Sequence, residues 1–182
     1  MNTIQIEDKN FELMIESDPI KKRILLLAIQ IGVDYEDKCP IFIGVLNGSF
    51  LFIGDLMKDI TIGCEIEFVK VSSYEGDQST GNVKQLIGLP KNIKGRDIIL
   101  VEDIVDTGKT LNFLIQVIEK EQPKSINICT LLHKPNATVT SVPVLKYVGF
   151  EIPNDFVVGY GLDYKGLGRN IQGIYRAIGK TE

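Results

Sequence analysis

The chain has 182 residues, with 20 Lys plus Arg, 24 Asp plus Glu, one His and three Cys. That length makes one domain, which buries roughly 70% of its unfolded surface and needs neither disulfides nor metals to fold. Its 44% apolar and 24% charged residues exclude a disordered or fibrous protein, and a net charge of −4 argues against broad electrostatic binding of nucleic acid.

The three cysteines, Cys39, Cys64 and Cys129, are widely spaced, and His133 is alone. A zinc site of thiolates and imidazoles is therefore not expected, and free buried thiols in a reducing compartment are. The first residues contain acids and no apolar signal-like stretch. The longest apolar run, 24–29, is far too short to span a bilayer. The expectation is a cytoplasmic protein without a membrane partner.

Along the chain, Ser17-Asp18-Pro19 marks a helix start, with a cap residue followed by Pro in the first turn. Ile20, Ile24, Leu27, Ala28 and Ile31 then recur at helical spacing and predict one buried stripe. The continuous apolar run 40–46 predicts a strand buried on both faces. Asn47-Gly48-Ser49 interrupts it, and 50–60 resumes with helical spacing. Segment 63–71 alternates as a long strand does, and 72–82 is a polar, glycine-bearing loop. Arg96-Asp97 leads into a second buried strand over 98–101, a helix follows over about 109–119, and 125–132 reads as a third strand. Strand, loop, helix, strand in this order implies an α/β fold with a mostly parallel sheet, whose ligands sit at the carboxyl ends of the strands. The stretch 138–156 carries Pro143, Pro153 and short apolar pieces, 159–168 holds four glycines, and 173–178 predicts a last short strand.

The most informative segment is Val101-Glu102-Asp103-Ile104-Val105-Asp106-Thr107-Gly108-Lys109-Thr110. Its second half offers backbone N–H groups, two hydroxyls and a lysine at a helix N-terminus, a combination that cradles a phosphate monoester. Its first half gathers carboxylates that repel one another, so a cation or a hydroxyl-rich group must compensate. A sugar diol and Mg²⁺ would do so, and the ligand implied is a sugar phosphate. A P-loop is excluded because its first glycine would fall at Asp103. A dinucleotide fingerprint starting at Gly159 fails because Tyr164 stands at its third glycine. An N-capping loop would explain Asp106 or Thr107 but leaves Glu102 and Asp103 without a reason.

At these residues the chain closely resembles the type I phosphoribosyltransferases, whose acidic-pair strand and Asp-Thr-Gly-x-Thr loop bind phosphoribosyl pyrophosphate (PRPP). The resemblance extends over nearly the whole chain. Within the group it is similar to the hypoxanthine (hypoxanthine-guanine) phosphoribosyltransferases in three further segments. Leu46-Asn47-Gly48-Ser49 stands in the place of their pyrophosphate loop, typically Leu-Lys-Gly-[SG], in which the peptide before the glycine is often cis. Asn47 replaces the usual Lys, so the backbone donors survive while the cation does not. Ser72-Ser73-Tyr74-Glu75-Gly76 resembles the flexible catalytic loop, whose Ser73-Tyr74 pair would close over the site and exclude water. Leu131-Leu132-His133-Lys134-Pro135 and the run from Asp155 to Tyr164 resemble the purine-reading tail.

The resemblance implies a type I phosphoribosyltransferase fold, with a mostly parallel central sheet flanked by helices and a small hood from the termini. It is one domain, 1–182, with about 138–182 contributing the purine-binding hood. It also implies roles. Lys134 would donate to the 6-oxo group, Phe156 stack on the base and the Val157 main chain read its edge. Asn47, Gly48 and Arg169 would contact pyrophosphate, and Glu102, Asp103, Thr107, Gly108, Lys109 and Thr110 hold the ribose phosphate. Asp163, with Glu102 and Asp103, would serve Mg²⁺, and Asp106 would take the N7 proton as N9 attacks. His133 is given no role. The expected partners are PRPP and a 6-oxopurine base, with no nucleic acid, in a homodimer or homotetramer. Other readings on the same fold are an enzyme specific for xanthine or another base, and a PRPP-sensing regulator that binds nucleic acid. The second should carry a basic face or an added domain, for which this chain has neither the charge nor the length.

Overall fold

The computed structural model describes residues 3–73, 83–89, 92–139 and 142–179. Chain order is β1 (Thr3–Ile6), β2 (Lys9–Ile15), α1 (Ser17–Asp34), β3 (Ile41–Leu46), α2 (Phe50–Asp59), β4 (Glu65–Ser73) and β5 (Val83–Ile87). Then come β6 (Asp97–Val105), α3 (Lys109–Lys120), β7 (Ser125–His133), β8 (Leu145–Glu151), β9 (Val157–Val158) and β10 (Ile174–Ala177). The main sheet has the order β5-β4-β3-β6-β7-β8, in which β4, β3, β6, β7 and β8 run parallel and β5 is antiparallel at the edge.

Alternation along the buried strands sends successive side chains to opposite faces. Phe42 of β3, Ile99 and Val101 of β6 and Tyr147 of β8 join the core under α1 and α2. Ile41, Ile43 and Val45 of β3, with Ile98 and Leu100 of β6, join the core under α3. Because both faces are covered, these strands read as unbroken apolar runs. The stripe expected on α1 is the one buried, Ile20, Ile24, Leu27, Ala28 and Ile31. α3 buries Leu111, Leu114, Ile115 and Ile118 at the same periodicity. Arg23 fastens α1 to the far edge of the sheet by donating to the carbonyls of Val148 and Gly149, each at 2.7 Å.

A second, four-stranded sheet, β1-β2-β10-β9, is built from both chain ends, as the resemblance implied for the hood. Five differences from the expectations stand out, the first being that of the three free thiols only Cys129 is buried, while Cys64 is half-buried and Cys39 exposed. The cap of α1 is Glu16, whose backbone is extended, and Ser17 is already helical. β6 continues through Glu102 and Asp103 to Val105, because its ladder with β7 runs on to Val105↔His133. Segment 138–156 is not all hood, because β8 extends the main sheet beside β7. Its two prolines flank the strand and do not interrupt it. The loop expected over 72–82 begins inside β4, and 74–82, with Tyr74, lies outside the described residues.

The sheet order reverses at β3. The chain leaves that strand for β4 on one side and reaches β6 on the other, so β3 and β6 are neighbours whose following loops diverge. Open α/β sheets bind ligands at this kind of switch point. Both segments singled out from the sequence, 46–49 and 102–110, emerge there.

Candidate active site

Pairing of β3 with β6 brings the end of β6 against the 46–49 loop. The peptide Leu46–Asn47 is cis, one bond upstream of the peptide that directly precedes Gly48. The carboxylate of Asp103 lies against the Cα of Gly48, so a Cβ at that position would fall on it. Gly161, at φ +99°, has its Cα against the Gly48 carbonyl, and only a glycine fits both the angle and the space. The tail therefore closes directly onto the 46–49 loop.

Asp103 is buried and accepts the Ile104 N–H at 2.8 Å. Burial pushes its carboxyl up, while Glu102, backbone N–H groups and the Arg169 charge act in the other direction. Glu102 is pushed well above its ordinary value by burial and then by the Asp103 charge beside it. Its Oε2 is buried and has no hydrogen-bond partner among the described residues. Two carboxylates so placed, one with an orphaned oxygen, await a cation or a hydroxyl.

Asp106 has a different environment. Parallel pairing of β6 and β7 sets Val105 opposite His133, and the Lys134 N–H donates to the Val105 carbonyl at 2.9 Å. The next residue on each strand is thereby brought to its counterpart. Lys134 is buried, and its Nζ donates to Asp106 Oδ2 at 2.9 Å. Thr138 bridges the pair from the backbone side, 2.8 Å from the Asp106 carbonyl and 3.0 Å from that of Lys134, with His133 Nε2 at 3.4 Å. The sequence reading gave no role to Thr138, and its place four residues after Lys134 is the one local signal for it.

Beyond Asp106 the chain enters α3 through Gly108, at φ +80°, whose carbonyl accepts from the Asn112 side chain at 2.9 Å. The Lys109 N–H lies 3.5 Å from Thr107 Oγ1. Glu102, Ile104, Val105, Asp106, Thr107, Gly108, Thr110 and Leu111 line a cavity of about 220 Å³ at this helix start.

In the tail, Arg169 donates to the Gly161 carbonyl and pairs with Asp163 Oδ1, both at 2.6 Å. The other oxygen of Asp163 accepts the Gly166 N–H at 2.7 Å. Both oxygens of Asp163 are thus engaged within its own turn. Phe156 packs edge-on to Tyr164 at 5.8 Å and tilted to Phe11 at 6.4 Å, with Lys9 Nζ 5.5 Å from its ring centre. Val157 is buried in β9, opposite Arg176 of β10. Ser73 ends β4. The structure thus brings together Asn47, Gly48, Asp103 and Arg169 in one group and Asp106, Thr107, Gly108, Thr110 and Lys134 in another, with Glu102 beside Asp103 and lining the cavity of the second. Phe156 belongs to the aromatic cluster of the small sheet.

A fold switched at β3, with an acidic strand end running into a phosphate-cradling helix start, defines a phosphoribosyltransferase. A family model described as the phosphoribosyl transferase domain matches residues 14–165, and the chain belongs to that family, within its hypoxanthine (hypoxanthine-guanine) branch. It is 41% identical over 170 residues to the hypoxanthine phosphoribosyltransferase of Escherichia coli (strain K12), covering 92% of this chain and 95% of that one. It is 46% identical over 157 residues to the hypoxanthine-guanine phosphoribosyltransferase of Streptococcus pyogenes serotype M3, covering 86% of each. The crystal structure of a hypoxanthine-guanine phosphoribosyltransferase from Bacillus anthracis superposes with a TM-score of 0.85 at 38% identity, over 92% of this chain and 97% of that one.

Proposed function

We propose that this transferase moves the 5-phosphoribosyl group of PRPP to N9 of hypoxanthine, and of guanine, releasing pyrophosphate and IMP or GMP. It would act in purine salvage in the cytoplasm, as a homodimer or homotetramer. Among the described residues no helix is long and apolar enough to cross a membrane. The observation that carries the base preference is the buried Lys134 held 2.9 Å from Asp106 at the cavity rim. An ammonium has three N–H donors, so Lys134 holds Asp106 and a 6-oxo oxygen together. An amino group at the same place would meet donor with donor, and adenine is rejected.

Asp106 accepts the N7 proton while N9 attacks the anomeric carbon. Thr107, Gly108, Lys109 and Thr110 anchor the 5′-phosphate on the N-terminus of α3, and that remote anchor fixes the reacting carbon against the base. The Asn47 and Gly48 amides and Arg169 receive the leaving pyrophosphate. Phe156 stacks on the base, the Val157 main chain reads its edge, and the loop bearing Ser73 and Tyr74 shuts out water.

Glu102 and Asp103 fit Mg²⁺ and the ribose hydroxyls, since they are adjacent carboxylates with an unpartnered buried oxygen. No cluster of three or more metal-binding side chains occurs among the described residues, so the ion would take its other ligands from PRPP and water. Asp163 would join after exchanging Arg169. When bound, Mg²⁺ withdraws charge from the pyrophosphate leaving group.

The test is kcat/KM for hypoxanthine, guanine, xanthine and adenine, each with PRPP, followed by absorbance. Hypoxanthine and guanine should exceed adenine by at least about tenfold, the value of one charged hydrogen bond. Equal rates with adenine would remove Lys134 from base recognition.

A further inference from the structure

The outward face of α1 carries an apolar stripe along its second half. Leu25, Leu26, Ile29 and Val33 are 45%, 56%, 54% and 70% exposed. Helical spacing sets all four on one side, opposite the buried stripe of the same helix. Isolated exposed apolar residues are ordinary on a soluble protein, but four contiguous ones along one helix mark a contact surface. The stripe ends in opposite charges, Lys22 before it and Glu36 after it, both exposed. Neither takes part in an ion pair among the described residues.

We propose that this stripe is a homotypic contact, in which α1 of one copy packs antiparallel on α1 of a second across a two-fold axis at Ile29. The pattern of the helix favours its own copy as occupant. About that axis Leu25 falls opposite Val33, and Lys22 faces the turn after the partner helix, where Glu36 lies. Leu26 falls opposite Gly32, where even a built Cβ would meet only Thr61 Oγ1, at 3.9 Å. Apolar residues thus meet apolar ones, one leucine meets a hollow, and unpaired charge meets its opposite. Two-fold symmetry makes each of these contacts twice. One helix face is smaller than the roughly 800 Å² per partner of a free-standing interface. The pairing therefore depends on concentration, or doubles an assembly that another surface already holds. The proposal deepens the homo-oligomer reading and is independent of the chemistry, so the two can fail separately.

Sedimentation of the full chain across a concentration series tests it, with transferase activity per chain as a check on folding. The double variant Leu26→Glu, Ile29→Glu should halve the number of copies in the wild-type particle and leave activity per chain unchanged. Lys22→Glu and Glu36→Lys should each weaken assembly about tenfold, since two ion pairs become repulsive, and the two together should restore it. An unaltered particle in the Glu variants would overturn the proposal, as would failure of the charge swap to restore assembly. A wild-type chain that stays single at every concentration would overturn it too. If that single chain bound phosphatidylglycerol vesicles through the same residues, the stripe would belong to a lipid surface.

Discussion

Glu102 and Asp106 lie four residues apart at the end of β6 and line one cavity, yet their electrostatic surroundings differ. Glu102 and Asp103 sit inside the strand, Asp103 against Gly48, and loss of solvent pushes both carboxyls up. Asp106 lies past the last ladder pair, half-exposed, and its charge is met by Lys134. The first environment stores an uncompensated demand for a cation or a hydroxyl. The second points a carboxylate by pairing one of its oxygens with a buried ammonium. One short stretch of chain thus places acids in two environments by leaving the sheet between them, as the proposed division into a binding acid and a reacting acid requires.

The strongest way to break that contrast is to remove the proton acceptor alone. Asp106→Asn keeps the shape and still faces Lys134, but it cannot take the N7 proton. We expect kcat to fall by at least about 10²-fold, the ordinary worth of positioned acid–base catalysis, with PRPP binding nearly unchanged. Unchanged turnover would remove Asp106 from the chemistry. Lys134→Ala comes next. It withdraws the charged donor and should cost hypoxanthine about 10–100-fold in kcat/KM, from ~1.5–3 kcal/mol for one charged hydrogen bond. The loss for adenine should be small, so the ratio of the two bases is the measurement that decides.

The two halves of the site were unequally legible in the sequence. Residues 102–110 are contiguous, and an apolar strand running into acids and then Thr-Gly-Lys-Thr states its own chemistry. α1 and the buried strands were legible for a related reason, because one-sided and two-sided burial leave different apolar patterns. The Lys134–Asp106 pair spans 28 residues and exists through strand register, which no local pattern carries. The seat of Asp103 on Gly48 depends on β3 and β6 being neighbours. β8 was missed because its prolines lie at its flanks, where they resemble breaks between elements. The resemblance supplied the roles of Lys134, Phe156 and Asp163, and it gave no place to Thr138.

Glu102→Gln sharpens the comparison from the other side. A carboxyl whose folded pKa is raised favours folding while it is protonated, and that contribution is lost as pH rises through the folded value. Gln cannot ionise, so the variant avoids the cost of a buried charge. Its Tm at about pH 8 should exceed that of the wild type by at least about 2 °C, the shift that ~1 kcal/mol produces in a domain of this size. The gap should close below about pH 4, where both side chains are neutral. The stabilisation given by PRPP with Mg²⁺ should shrink in the same variant. A lower Tm at pH 8 would mean that Glu102 is ionised and already compensated, and the contrast with Asp106 would fail.

The smallest effect concerns what holds the Asp106–Lys134 pair in register. The Thr138 hydroxyl lies 2.8 Å from the Asp106 carbonyl and 3.0 Å from that of Lys134, tying the two strand ends together behind their side chains. Thr138→Val keeps the volume and removes the hydroxyl, at a cost of about 0.5–1.5 kcal/mol for a neutral hydrogen bond. The phosphate anchor has its own support in the Asn112 bond to the Gly108 carbonyl and should not move. We therefore expect kcat/KM for hypoxanthine to fall about 3–10-fold with the KM for PRPP unchanged. Thr138→Ser should recover most of the loss. An equal rise in the KM for PRPP would instead show that Asp106, Lys134 and the phosphate loop shift as one body, and the two acids at this strand end would not be independently held.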